Sequence, residues 1–189
     1  MKVDPQALAD QAKSSGHLLL IMRHAQAEPC GAGGDRSRPL SLQGRKQAET
    51  VGRSLSALGL IPDRIACSGA LRARQTLDLM LSSFGDGPSV DYRESLYTGG
   101  TQGLLDELVA SKQEERFLLI VTHEPSVSYC AQLFADPASD QGALGLLGLG
   151  MPPACAAVLA AAQPLRDWSP STADLLGTVG PNDLRKYPV

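Results

Sequence analysis

Two short apolar runs constrain this chain more than anything else in it. Leu18-Leu19-Leu20-Ile21-Met22 breaks off at Arg23-His24, and Phe117-Leu118-Leu119-Ile120-Val121 breaks off at Thr122-His123. Five apolar residues in succession suit a strand buried on both faces, and such strands belong to sheets sandwiched between helices. Arg64–Cys67 and Val90–Tyr92 read as further short strands. Ala154–Ala162, helical by propensity, is assigned to a late strand by context.

Between these runs the apolar spacing changes to three and four, the mark of a helix with one buried face. Pro5–Lys13 predicts a leading helix capped by Asp4. A second helix starts near Ser41, carries Ala48, Val51, Leu55 and Leu58, and is stopped by Gly59 and Pro62. A third runs from about Ala70 with Leu77, Met80, Leu81 and Phe84 on one stripe. Thr101–Lys112 predicts a fourth, and Pro125 is expected in the first turn of a fifth that holds Val127, Cys130, Ala131 and Phe134. Residues 25–40 read as a loop. Residues 135–153 are rich in Gly and Pro and are assigned no element.

Strands alternating with helices predict an α/β fold, a largely parallel central sheet flanked by helices. The 189 residues are expected to form one domain, with the leading helix in 1–15 and a C-terminal part from 135 to 189. Aromatic residues are only 4% of the chain, so the core must rest on Leu, Ala, Val and Ile. A formal net charge of −3 argues against nucleic acid or an anionic membrane as a partner held by bulk electrostatics. Cys30, Cys67, Cys130 and Cys155 are far apart, which fits free thiols better than a zinc knuckle or a disulfide framework. Met1–Ser15 has no apolar core of a signal peptide, and Leu18–Met22 is too short to span a bilayer. The expectation is a cytoplasmic protein.

In open α/β sheets, ligands bind beyond the carboxyl ends of the strands. Applied here, that rule gathers Arg23-His24, Ser68-Gly69-Ala70-Leu71-Arg72 and Thr122-His123 at one edge. Arg72 would lie in the first turn of a helix, where free N–H groups and the helix dipole favour an anion. Two imidazoles and at least two guanidiniums are thereby expected in one pocket. Guanidinium forks match phosphate oxygens and stay charged, and a neutral imidazole is nucleophilic. The pattern points to phosphoryl transfer. No Cys-x5-Arg loop is present, and no His-x3-His or carboxylate cluster suggests a metal, so neither metal nor cofactor is expected.

Leu20-Ile21-Met22-Arg23-His24-Ala25 resembles the Arg-His-Gly signature of the histidine phosphatase superfamily, with Ala for Gly. Ser68-Gly69-Ala70-Leu71-Arg72-Ala73-Arg74-Gln75-Thr76 is similar to its Ser-x-x-x-Arg-Ala-x-x-Thr block. Val121-Thr122-His123-Glu124-Pro125 resembles its Gly-His-x-Pro block. Arg38-Pro39-Leu40-Ser41-Leu42-Gln43-Gly44 resembles a stretch of the short SixA-type phosphohistidine phosphatases. The likeness implies a phosphoglycerate mutase-like three-layer fold, His24 as nucleophile, and Arg23, Arg72 and His123 as phosphate ligands.

Arg38 is balanced between a solvated loop residue and a substrate contact. Glu94 lies in a segment similar to the acid-bearing stretch of the mutase branch, whereas Glu124 follows the second histidine as the acid does in the acid phosphatase branch. Either is otherwise a surface carboxylate. The expected activity is hydrolysis of a phosphomonoester or a protein phosphohistidine, so the partner is a phosphorylated protein or a small phosphorylated metabolite. The alternatives are a phosphomutase and a phosphate-binding module without turnover. Cys30, in the loop near the site, is read as incidental.

Overall fold

The computed structural model describes residues 4–29 and 33–184. In chain order the elements are α1 (Pro5–Ser14), β1 (His17–Arg23), α2 (Leu42–Ala57), β2 (Arg64–Ser68), α3 (Leu71–Phe84), β3 (Ser89–Arg93), α4 (Ser95–Thr98) and α5 (Gly100–Val109). There follow β4 (Phe117–Thr122), α6 (Ser126–Phe134), α7 (Gln141–Gly148), β5 (Ala156–Ala161), β6 (Asp174–Val179) and α8 (Pro181–Leu184).

Six strands form one sheet in the order β3-β2-β4-β1-β5-β6. The first four run parallel, while β5 is antiparallel to β1 and β6 antiparallel to β5. The apolar runs are central strands, as their composition demands. Their side chains alternate between the two faces. Leu18, Leu20 and Met22 join Leu119 and Val121 under α1, α2 and α3. Leu19, Ile21, Leu118 and Ile120 face the layer of α5, α6 and α7. Each such fully buried side chain contributes about 1.5–3 kcal/mol relative to exposure, so the two runs anchor both layers.

Helix starts follow local chemistry. Asp4 accepts from the Gln6 amide, Ser41 from that of Gly44 and Asp140 from that of Ala143. Gly52 lets α2 approach α3 closely, since a Cβ there would lie 2.7 Å from Met80 Cα. At the end of β2 remote from the histidines, buried Arg64 meets Glu107 at 2.8 Å and Glu115 at 3.2 Å.

Several expectations needed correction. Residues 135–153 contain α7, whose Asp140 cap was the available signal. The tail supplies β6 and α8; β6 (DLLGTV) is short of apolar residues because it is an edge strand. Pro125 sits just ahead of α6 instead of inside its first turn, after a cis Glu124–Pro125 peptide. The fourth predicted helix ends at Val109, not Lys112. The 25–40 segment is a loop, but it carries a 3-10 turn at Asp35–Ser37 and an Ala27–Leu40 bridge. Cys30 lies outside the described residues; Cys67, Cys130 and Cys155 are free thiols. Among the described residues no helix is long and apolar enough to cross a membrane.

Candidate functional site

Register brings the chemistry together. β1 and β4 are adjacent and parallel with Arg23 opposite Thr122, so the next residues, His24 and His123, emerge side by side. β2 lies on the other side of β4 with Cys67 opposite Val121, so Ser68 exits beside them. The imidazole centroids are 5.0 Å apart with the rings inclined at 60°. Arg72, the second residue of α3, reaches in to both of them. Its Nε donates to His24 Nε2 at 3.0 Å and its Nη2 to His123 Nδ1 at 3.3 Å.

These bonds fix both tautomers, because a guanidinium only donates and a carbonyl only accepts. His24 Nδ1 lies 2.7 Å from the Ala25 carbonyl oxygen and therefore carries the ring proton, which leaves a lone pair on Nε2. His123 accepts at Nδ1, so its Nε2 donates to Ser68 Oγ at 2.7 Å. Both rings are held uncharged. Burial does most to lower the His24 pKa to about 4; the Ala25 carbonyl opposes this, and the charges of Arg72, Arg23 and Arg38 add to the lowering. His123 is lowered to about 3, again chiefly by burial, with His24, Arg72 and Arg23 reinforcing and Asp35 opposing.

The supporting bonds are short, and those made by the two threonines are buried. Thr76 Oγ1 donates to the Arg72 carbonyl at 2.7 Å and accepts from the Ala25 amide at 3.0 Å, locking the first turn of α3 to the exit of β1. Thr122 Oγ1 donates to the Leu96 carbonyl, which fixes α4 and brings the Tyr97 ring to 5.6 Å from His123. Arg23 donates through Nη1 to the Met151 carbonyl at 2.7 Å. The Met151 amide is in turn held by Glu124 Oε1 at 2.7 Å, and the same carboxylate oxygen accepts from Ser128 Oγ. Ala154, left-handed at φ 60°, donates to the His24 carbonyl.

Of the residues expected from sequence, Arg23, His24, Arg72 and His123 converge. Arg38 joins them closely enough for its charge to act on His24. Glu94 stands at the rim, paired with Arg36 at 2.6 Å and packed against Gly69, where a Cβ would come within 2.8 Å of its Oε2. Glu124 is committed to the Met151 loop. Sequence reasoning missed Asp35. Its carbonyl accepts from Arg72 Nη1 at 2.6 Å and its Oδ2 from Arg72 Nη2 at 3.0 Å and the Tyr97 hydroxyl at 3.2 Å. Its proximity to Arg38 in Asp-Arg-Ser-Arg was visible, but its reach to Arg72 depends on how the loop folds back.

Among the described residues, the buried side-chain polar atoms left without a partner are Arg23 Nε and Arg38 Nε. Both belong to guanidiniums whose charge is felt at His24. Orphaned buried donors are costly, and an anion supplies the acceptors they lack. A separate groove of about 780 Å³ opens beyond Met151, lined by Leu42, Lys46, Leu149 and Val179; neither histidine borders it. The arrangement that can do chemistry is the histidine pair.

Comparison with known proteins agrees with this geometry. The family model described as histidine phosphatase superfamily (branch 1) matches residues 19–97. The uncharacterized protein Rv1276c of Mycobacterium tuberculosis is 31% identical over 157 residues, covering 82% of this chain and 97% of that one. A protein of Nakamurella multipartitia assigned as the phosphohistidine phosphatase SixA superposes with a TM-score of 0.72 at 31% identity, over 86% of this chain and 95% of that one. The structure of a protein histidine phosphatase SixA complexed with tungstate shares the fold, with a TM-score of 0.71 at 20% identity, over 88% and 99% of the two chains. With paired neutral imidazoles and arginines at the carboxyl edge of such a sheet, the chain belongs to the histidine phosphatase superfamily.

Proposed function

We propose that this protein is a phosphohistidine phosphatase working through a covalent phosphohistidine on His24. The observation that carries the reading is the His24 tautomer. With Nδ1–H tied to the Ala25 carbonyl, Nε2 is the unprotonated nitrogen and the low pKa keeps it so at neutral pH; its lone pair, which accepts from Arg72 Nε, is released for attack as that donor turns to a phosphoryl oxygen.

In the proposed reaction His24 Nε2 attacks phosphorus in line. An Nε2–P bond forms as the bond from phosphorus to the leaving imidazole breaks, and the departing ring keeps a proton on its other nitrogen. Water then attacks phosphorus, the Nε2–P bond breaks, inorganic phosphate leaves and the water's proton passes to solvent. Arg23, Arg72 and Arg38 hold the equatorial oxygens, where charge spreads in the transition state, and the neutral His123 lies beside them. The cradle needs no metal for these steps.

The leaving group is inferred from the carboxylates. Glu94 is paired with Arg36, and Glu124 accepts from the Ser128 hydroxyl and the Met151 amide, so both carboxylates are engaged with partners other than a leaving group. An imidazole departs without that help. The SixA proteins this chain resembles point the same way.

The test is incubation with a phosphohistidine-bearing protein and, separately, with an aryl phosphate. Acid-labile, base-stable phosphoenzyme should form in the wild type and not in His24→Ala. Undiminished turnover in His24→Ala, or turnover of small sugar phosphates with none of phosphohistidine, would refute the reading.

A further inference from the structure

Asp35 occupies the donors that a phosphoryl group needs. Its backbone oxygen and its carboxylate each take one Nη of Arg72, and Arg72 Nε is already committed to His24. Two further groups hold the carboxylate in place, the Tyr97 hydroxyl on Oδ2 at 3.2 Å and Arg38 Nη1 on Oδ1 at 3.3 Å, while Gly34, with φ 80°, leads the chain into the Asp35–Ser37 turn. Burial works to raise the Asp35 pKa, but the Arg72 hydrogen bond and charge, Tyr97 and Arg38 outweigh it and keep the group ionised. It is a built-in anion on an anion site.

We propose that Asp35 is an intramolecular competitor for Arg72 and thereby sets how tightly the protein holds inorganic phosphate. This rests on the phosphate-site reading above. When Asp35 sits on Arg72, the binding-competent form is only a fraction of the molecules, and apparent affinity falls by that fraction. After hydrolysis the returning carboxylate takes back Nη2, the backbone oxygen takes back Nη1, and together they help expel the product. Because the Asp35 side chain is about half exposed, its pairing with Arg72 is modest in strength, and so is the effect.

Titration calorimetry of the full chain with inorganic phosphate tests this without any need for turnover. Asp35→Asn keeps the shape and removes the charge; it should bind phosphate about fivefold more tightly than wild type, the equivalent of roughly 1 kcal/mol. Asp35→Ala should tighten binding at least as much, and Tyr97→Phe, which removes one of the two other groups that hold the carboxylate on Arg72, should tighten it less. A residue that merely orients Arg72 would give the opposite sign, weaker binding in both Asp35 variants. Unchanged or weaker binding in both, with wild type binding phosphate normally, overturns the competitor role alone. Failure of wild type itself to bind phosphate brings down the site reading together with it.

Discussion

Folding this protein in mildly acid solution requires keeping two imidazoles uncharged that the unfolded chain would protonate. In the unfolded chain each titrates near the ordinary value of 6.5; in the fold His24 falls to about 4 and His123 to about 3. Between these limits the unfolded state binds more protons, so stability rises with pH. The contribution is fully present above about pH 6.5 and is lost as pH falls toward the folded values. Integrated to about pH 5, each ring costs roughly 2 kcal/mol, and the pair roughly 4 kcal/mol, a large part of an ordinary domain's stability. Urea unfolding at about pH 7.5 and pH 5 should register that loss in wild type, about half of it in His24→Asn or His123→Asn, and little in the double variant. Equal wild-type stability at the two pH values, or the full loss persisting without either ring, would refute the argument that burial and the surrounding guanidiniums hold these rings neutral.

Other perturbations test the supporting bonds. Thr76→Val removes the hydroxyl joining Arg72 to Ala25 and should cost about 1–3 kcal/mol in thermal melts, with turnover falling more than the folded fraction does. Glu124→Ala removes the acceptor of the Ser128 hydroxyl and leaves the Met151 amide only its longer bond to Ser128 Oγ; KM for phosphorylated substrate should rise as Arg23 loses its aim, while the His24 phosphoenzyme still forms. Arg64→Met leaves buried Glu107 with only the part-exposed Arg93 and Glu115 with only the Lys112 amide; it should destabilise by roughly 3 kcal/mol, with activity per folded molecule unchanged because the cluster lies at the far end of β2.

Legibility in the sequence followed the physics of each element. β1 and β4 were plain because a strand buried on both faces has little choice but to be apolar throughout. The candidate residues adjoining them were therefore easy to pick out as well, since strand exits are where an α/β sheet binds ligands. β5 (AAVLAA) was ambiguous because alanine favours helices locally, and only its place beside β1 makes it a strand. β6 alternates weakly and includes Gly177, so its pattern carried little signal. Asp35 and Tyr97 were missed for another reason. Their roles depend on a loop returning to Arg72 and on a one-turn helix pinned by Thr122, and neither leaves a periodic trace.

The match to the family model stops at residue 97, yet the aim of the first arginine is set more than fifty residues later. Arg23 gives its amide proton to Cys155 and its guanidinium to Met151, and Ala154 clasps the backbone oxygen of His24. The late segment is thus a jig for the early motif. Cutting the chain off before Met151 would keep every motif residue up to the second histidine and lose the means of pointing them.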